Sequence, residues 1–390
     1  MRHDTIKVGI KTNGAPLIEP RKDGILLRNM LIGDGFHWEK TIEALLPGEL
    51  EPFVSCGETP EADRHVTLIN TLPVETYLEC VVGSEMNPEA PIEFLKAHAV
   101  ISRSWVLGKI LGAHIYPEEG RERSHQHLIG WEDNCAHRGF HVCSDDHCQR
   151  YQGLQPISSA ALNAIYETAG EILCSSDGNI VDARFSKCCG GKTEIFSTCW
   201  QNVDVECIES FDDPWCDLSD MEAKQKIELL STVLKDYDLK TEGYGYRWHA
   251  KVSKVRIREN LKRLFNREIG VIQTVEALHR GASGRIDRLR LQGSDGTLEI
   301  GKELWIRRLL SDSHLYSSAF DIEDKGDDIL LAGRGWGHGV GLCQIGAANM
   351  ALHGHTYREI LSFYYPASII TLQKYMNAAL NRPNDTALSN

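Results

Sequence analysis

The chain has 390 residues, 42% of them hydrophobic and 25% charged, with a formal net charge of -13. That composition can bury a sizeable core over more than one average domain length. Its acidity argues against nucleic acid as a partner, because duplex binding needs a cationic face, but it leaves room for a glycan. No stretch reaches the roughly 18 consecutive apolar residues of a membrane span. The start, MRHDTIKVGIKTNG, lacks the basic and apolar regions of a signal peptide. The expectation is a chain that works in the cytosol or one from which a targeting segment has been trimmed.

Residues 1–70 read as short strands, with IKVGI, GILLRNMLIG and HVTLINTLP punctuated by Gly, Pro and Asn. The stretch VVGSEMNPEAPIEFLKAHAVISR then spans 81–103 and leads into the clearest helix, over 91–110. Ile92, Leu95, Ala99, Val106 and Ile110 recur at helical spacing, and Ala97, Ile101 and Trp105 widen the apolar face. Pro91 suits the first turn, where its missing N–H has no partner to lose. Glu85, between Ser84 and Met86, reads locally as a carboxylate flanking that helix.

Residues 112–155 are polar and weakly periodic, a long loop that needs an organiser. Within it HRGFHVCSDDHCQRYQG, 137–153, offers the imidazole and thiolate donors that zinc prefers. His137, Cys143, His147 and Cys148 are the preferred ligands, with His141, Cys135, His125 and His127 as substitutes. The competing reading is a surface loop with incidental donors. Four protein ligands would leave no open position, so the zinc would be structural; no organic cofactor is expected. Six of the 12 cysteines follow at Cys174, Cys188, Cys189, Cys199, Cys207 and Cys216. Such a cluster reads as metal or catalytic thiols in a reducing compartment and as pairs in an oxidising one.

Residues 218–268 are strongly charged and predicted helical, after which strands with Gly turns return. The segment GRGWGHGVGLCQIGA, 333–347, fits neither a dinucleotide fingerprint, since Val340 stands where the third Gly belongs, nor a Walker loop. It reads as a close backbone approach with Trp336 as a stacking platform and His338 and Gln344 as donors, or as a tight corner with Trp336 in the core. The mixture predicts an α+β fold: a β-rich mixed core, one long helix and a peripheral charged helical segment. The expected organisation is a strand-rich segment over 1–70 and a core with the Cys/His loop over 71–217. A charged helical insertion over 218–270, the rest of the core over 271–375 and a polar tail over 376–390 complete it.

Three separated stretches together resemble the stage II sporulation protein D / amidase-enhancer family of bacterial cell-wall proteins. They are LPVETYLECVVGSEMNPEAPIEFLKAHAVISRSWVL (72–107), RFSKCCGGKTE (184–194) and GRGWGHGVGLCQIGAANMALHGHTYREILSFYYP (333–366). RGASGRIDRLRLQG is a looser fourth match, and the loop ending DDHCQRYQG resembles the zinc loop of some members. Phe185, the Lys187-Cys188-Cys189 run, Cys343 and Ile345 depart from the residues usual in the family.

The resemblance implies a lytic transglycosylase that cuts peptidoglycan between N-acetylmuramic acid and N-acetylglucosamine. It leaves a 1,6-anhydro end and prefers strands stripped of stem peptides. The alternative it implies is a non-catalytic glycan-binding activator of a cell-wall amidase. The family's catalytic glutamate falls on Glu85. One carboxylate suffices for this chemistry, whereas hydrolases usually add a second. As an acid Glu85 is expected to be partly buried with a pKa raised to about 6–7. Arg103 is expected to bind an acetamido or carboxyl group or stabilise developing charge. Lys187, Thr193, Trp336, His338 and Gln344 are the expected groove residues. The expected partners are glycan strands and a cell-wall amidase, with no nucleic acid.

Overall fold

The computed structural model describes residues 5–34, 39–53, 65–117, 120–131, 137, 139–145, 147–154, 158–234 and 245–380. Period-two patterning builds the first sheet. Its strands are β1 (Thr5–Asn13), β2 (Ile18–Arg21), β3 (Gly24–Ile32), β4 (Lys40–Leu46), β5 (Glu49–Pro52) and β6 (His65–Pro73). They run in the order β2-β3-β1-β6-β5, with β4 also paired to β3. On β1, Ile6, Val8, Ile10 and Thr12 all point inward and are fully buried, as alternation requires.

Helix α1 (Val74–Glu85) leaves β6 directly, with Pro73 at its N-cap. Glu85 is therefore the last residue of one helix, not a charge at the start of the next. Helix α2 (Ile92–Ile110) follows, and Pro91 stands at its N-cap one position ahead of the first turn. From Phe94 to Gly108 every residue of α2 except Lys96 is buried. The expected apolar face is thus a whole circumference, the pattern of a helix enclosed by the rest of the protein. Three short strands follow: β7 (Glu122–Arg123), β8 (His127–Ile129) and β9 (Val142–Cys143). They are succeeded by α3 (Ser159–Glu167), β10 (Glu171–Cys174), β11 (Phe185–Ser186) and α4 (Phe196–Cys199). A single 3-10 turn, Pro214–Cys216, precedes α5 (Ala223–Val233).

The charged stretch expected to be helical contains a strand. β12 (Arg247–Ser253) precedes α6 (Lys254–Phe265). In β12, Trp248 and Val252 are buried between exposed Arg247, His249 and Lys251, so period two prevails locally over the helical pattern around it. The remaining elements are β13 (Ile272–Arg280), β14 (Ile286–Gly293), β15 (Gly296–Gly301), α7 (Glu303–Leu309), β16 (Phe320–Lys325) and β17 (Asp328–Arg334). Then come β18 (Leu342–Cys343), α8 (Gln344–Leu352), α9 (Tyr357–Tyr364), β19 (Ser368–Thr371) and α10 (Leu372–Leu380). β13-β14-β15-β8-β7 form one sheet and β12-β17-β16 another. The architecture is α+β. One buried apolar cluster surrounds α1, α2 and α8; a second lies between α6, α7 and the later strands. No helix among the described residues is long and apolar enough to cross a membrane.

Arg103 corrects a sequence expectation. Its side chain is fully buried on α2 and does not line the cleft described below. It makes a two-pronged pair with Glu75 on α1, at 2.8 Å on both prongs, and donates to the Glu171 carbonyl of β10 at 3.1 Å. A planar guanidinium suits that fork; here it ties α1, α2 and β10 together. Arg103→Ala should lower the unfolding free energy by about 3 kcal/mol, because it empties a packed site and strands a carbonyl. Glu75→Gln should cost about 3 kcal/mol as well, because it leaves a fully buried guanidinium without its counter-charge. Denaturant unfolding of both variants checks this; a loss under about 0.5 kcal/mol in Glu75→Gln, the size expected of an exposed pair, would contradict it.

Candidate functional site

The end of α1 delivers Glu85 to the floor of a cleft of about 1060 Å³. Glu85 is 7% exposed, so its carboxyl group reaches the cleft from a mostly buried position. The main-chain N–H of Arg150 donates to its Oε1 at 2.8 Å. From the facing wall Lys187 donates to the Glu85 carbonyl at 3.3 Å and approaches the Met86 sulfur at 3.2 Å. Asp34, Asp145 and Glu303 are the other carboxylates lining the cleft among the described residues. Asp34 pairs with Lys11, and Glu303 pairs with Arg307. Asp145 accepts from the main-chain N–H groups of Gly33 and Asp34.

Arg150 is held by the Cys/His loop. β9 adds to β1 in parallel, with Val8 opposite Val142 and Gly9 opposite Cys143. This brings His137, Cys143, His147 and Cys148 together, their ligand atoms all within 4.8 Å of one another. His137 Nε2 lies 3.2 Å from Cys148 Sγ; His147 Nδ1 lies 3.7 Å from Cys143 Sγ and 3.6 Å from Cys148 Sγ. Two thiols and two imidazoles at this spacing fit a tetrahedral zinc ion. The Cys143 thiol is held well below its usual range, by the Cys148 hydrogen bond first and then by His137 and His147, while burial and then the same bond push Cys148 well up; a zinc ion would take both as thiolates. Of the substitutes, His141 is taken up by strand pairing, its Nδ1 accepting from the Lys7 N–H at 3.0 Å. His127 pairs with Glu122, and neither it nor His125 belongs to the group. Cys135 lies outside the described residues.

Directly after the ligands, Gln149, Arg150 and Tyr151 run against α1. Tyr77 stacks on Tyr151 at 5.5 Å and donates to Gln149 at 3.0 Å, while the Tyr151 hydroxyl donates to Asn70 on β6. Sequence reasoning stopped at the ligands and missed Arg150, whose contribution is a main-chain N–H that no side-chain pattern announces.

The facing wall is built from β11 and β18, paired in parallel, and from the Gly-rich turn between β17 and β18. Gly335, Gly337, Gly339 and Gly341 all have positive φ, from 72° to 95°. At Gly339 a Cβ would meet the Arg285 guanidinium at 2.4 Å, and at Gly341 it would meet the Arg184 carbonyl at 2.0 Å. The turn is therefore a close wrap around neighbouring chain. Arg285, fully buried, donates to the Cys189 and Gly337 carbonyls; sequence reasoning missed it. Glu194 closes the same corner, accepting from the Ala282 and Ser283 N–H groups.

Lys187, Trp336, His338 and Gln344 all line the cleft with Glu85. His338 is kept neutral: burial, then the guanidinium groups of Arg184, Arg285 and Arg307, holds its pKa well below the usual range. Gln344 is only 1% exposed, and its Nε2 lies 3.0 Å from His98 Nε2. Thr193 is not brought to the cleft. It is fully buried and donates to the Glu209 and Phe211 carbonyls, which fixes the strand-turn behind the wall. Cations also line the cleft, including Arg150, Arg184 and Arg308. Trp200, Trp305 and Trp336 add aromatic surface.

Comparison with known proteins gives two family matches. Residues 62–174 match the family described as stage II sporulation protein, and 194–341 match a domain of unknown function (DUF8618). An uncharacterized protein of Brachyspira hyodysenteriae is 26% identical over 360 residues, 92% of this chain and 78% of that protein. Stage II sporulation protein D of Bacillus subtilis is 23% identical over 313 residues, 79% of this chain and 78% of its own. The amidase enhancer of Bacillus subtilis is 23% identical over 227 residues, 53% of this chain and 32% of its own.

His98 on α2 packs against the wall that faces Glu85. Its ring lies 4.7 Å from Phe185, and its Nδ1 lies 3.3 Å from Ser102 Oγ. Burial, and then Lys187, pushes its pKa down from 6.5 to about 3. A base depressed on folding contributes stability that is present above its unfolded pKa of 6.5 and lost as the pH falls toward 3. Between pH 7 and pH 4 that loss is about 3 kcal/mol. His98→Gln should therefore be less stable at pH 7 but lose less on acidification. Urea midpoints across the range check it; parallel losses in the two proteins would contradict it.

Proposed function

The chain belongs to the stage II sporulation protein D / amidase-enhancer family, and from that premise we propose that it cuts peptidoglycan glycan strands without water, using Glu85 as acid and then base. The broader part of this reading is a role at the cell wall. The observation that carries the finer part is a mostly buried carboxyl group at a helix end, on the floor of a cationic and aromatic cleft.

Protonated Glu85 gives its proton to the glycosidic oxygen between N-acetylmuramic acid and N-acetylglucosamine, and that bond breaks. The carboxylate left behind takes the proton from the 6-hydroxyl of the muramic acid residue. The freed oxygen closes on C1 as a 1,6-anhydro ring, so no water is consumed. The Arg150 N–H, donated to Oε1, orients the carboxyl group, and Lys187 holds the main-chain carbonyl of the same residue. Trp336 offers a face for a sugar ring. The basic lining suits the lactyl carboxylates that a peptide-free strand still carries. Zinc held by His137, Cys143, His147 and Cys148 would stabilise the loop, with all four positions filled by protein.

Peptide-free glycan incubated with the protein should yield 1,6-anhydro ends detectable by mass spectrometry. A positioned general acid contributes about 10²- to 10⁴-fold, so Glu85→Gln should slow cleavage by at least about 100-fold while glycan binding persists. Wild-type rates in Glu85→Gln would remove Glu85 from the mechanism. Glycan binding without any product, with amidase stimulation that survives Glu85→Gln, would replace the enzyme by a non-catalytic activator.

A further inference from the structure

Behind the wall that faces Glu85, three segments far apart in sequence bring together thiols that glycan cleavage does not use. Cys188 and Cys189 follow β11, Cys216 ends the Pro214–Cys216 turn, and Cys343 is the N-cap of α8. All four are at most 2% exposed. The sulfurs of Cys189, Cys216 and Cys343 and a carboxylate oxygen of Asp213 all lie within 4.8 Å of one another.

Asp213 is the telling member. It is 1% exposed, and its hydrogen-bond partners among the described residues are uncharged: Cys189 Sγ at 3.3 Å, the Tyr364 hydroxyl at 2.9 Å and the Trp215 N–H at 3.1 Å. A carboxylate enclosed without a cation is costly, and the side chains around it are metal donors. The sulfur of Cys343 already accepts two main-chain N–H groups, from Cys189 at 3.3 Å and Gly346 at 3.4 Å. Such outer hydrogen bonds orient a ligating sulfur, and a helix N-terminus favours its thiolate form.

We propose that Cys189, Asp213, Cys216 and Cys343 hold a second zinc ion, separate from the one in the Cys/His loop. Ligand atoms on one tetrahedral zinc stand roughly 3.8 Å apart, given Zn–S bonds of about 2.3 Å, so the group needs to contract by less than about 1 Å around the metal. Each thiol that ligates the ion releases its proton to solvent. With four protein ligands the site is closed and structural. It pins the chain on either side of the cleft residues Lys187 and Gln344, which are sequence neighbours of the Cys188-Cys189 pair and Cys343. Cys188, with its sulfur 3.3 Å from that of Cys216, is the alternative partner for Cys216 if the pair oxidises. The proposal does not rest on the glycan chemistry, and its test reads metal alone.

Full-length protein purified without chelator should carry two zinc ions per chain by elemental analysis. Cys148→Ser, which disables the loop site, should retain one, and Cys216→Ser should also retain one. Together the two substitutions should leave none. Should Cys216→Ser fail to fold, the Cys148→Ser protein carries the test. Stripped of metal and titrated with cobalt(II), it should take up one equivalent with near-ultraviolet thiolate-to-cobalt absorption and tetrahedral visible bands. One zinc ion in the wild type that disappears wholly in Cys148→Ser would overturn the proposal. So would a Cys188–Cys216 disulfide in the native protein under non-reducing mass spectrometry, or cobalt uptake without thiolate bands.

Discussion

The hydrogen bond from the Arg150 main chain to the Glu85 carboxylate is the contact on which the cleft depends. A helix end alone leaves a glutamate side chain several rotamers, most of them useless for handing a proton to a defined oxygen. A hydrogen bond to a charged group is worth about 1.5–3 kcal/mol, enough to select one. Its donor sits two residues beyond the last ligand of the Cys/His loop and is flanked by Gln149 and Tyr151, which are fastened to Tyr77 and Asn70. The proposed acid is thus positioned by the chain that directly follows the Cys/His loop. Its place in the cleft follows from β9 joining β1 and carrying the loop across to α1.

The opposite wall reaches the same end by different means. Alternate glycines let the turn before β18 close over Arg285, whose guanidinium gathers carbonyls from two segments. Main-chain pairing between Cys188 and Trp336 then aligns the strand carrying Lys187 with the turn carrying Trp336 and His338. Both walls are assembled from short segments with little regular structure. A chain with a net charge of -13 nonetheless lines this cleft with cations, so local placement and not overall charge governs what it can bind.

Much of this was legible in the sequence because the signals were local. The long helix and the mixed fold class rest on spacing and pattern, and the four Cys/His donors picked out by their density are brought together. Glu85 was legible only through its resemblance to a family, since one carboxylate beside two prolines carries no signal of its own, and its place at the end of α1 was not foreseen. Arg103 and Thr193 were misread because motif membership was taken for ligand contact; one ties helices and the other fixes a strand-turn. Arg285 and Arg150 were missed because their roles depend on partners more than 50 residues away. The cysteines that looked like scattered departures at 188, 189 and 343 converge with Cys216 only once three distant segments are packed.

The central claim is that a single carboxylate cleaves the glycan with no water in the reaction. Cleavage of peptide-free strands in ¹⁸O-labelled water tests it most directly, since hydrolysis must place solvent oxygen on the new reducing end. The account predicts product ends 18 Da lighter than hydrolytic ends and free of ¹⁸O. Incorporation of one ¹⁸O per cleavage would contradict it.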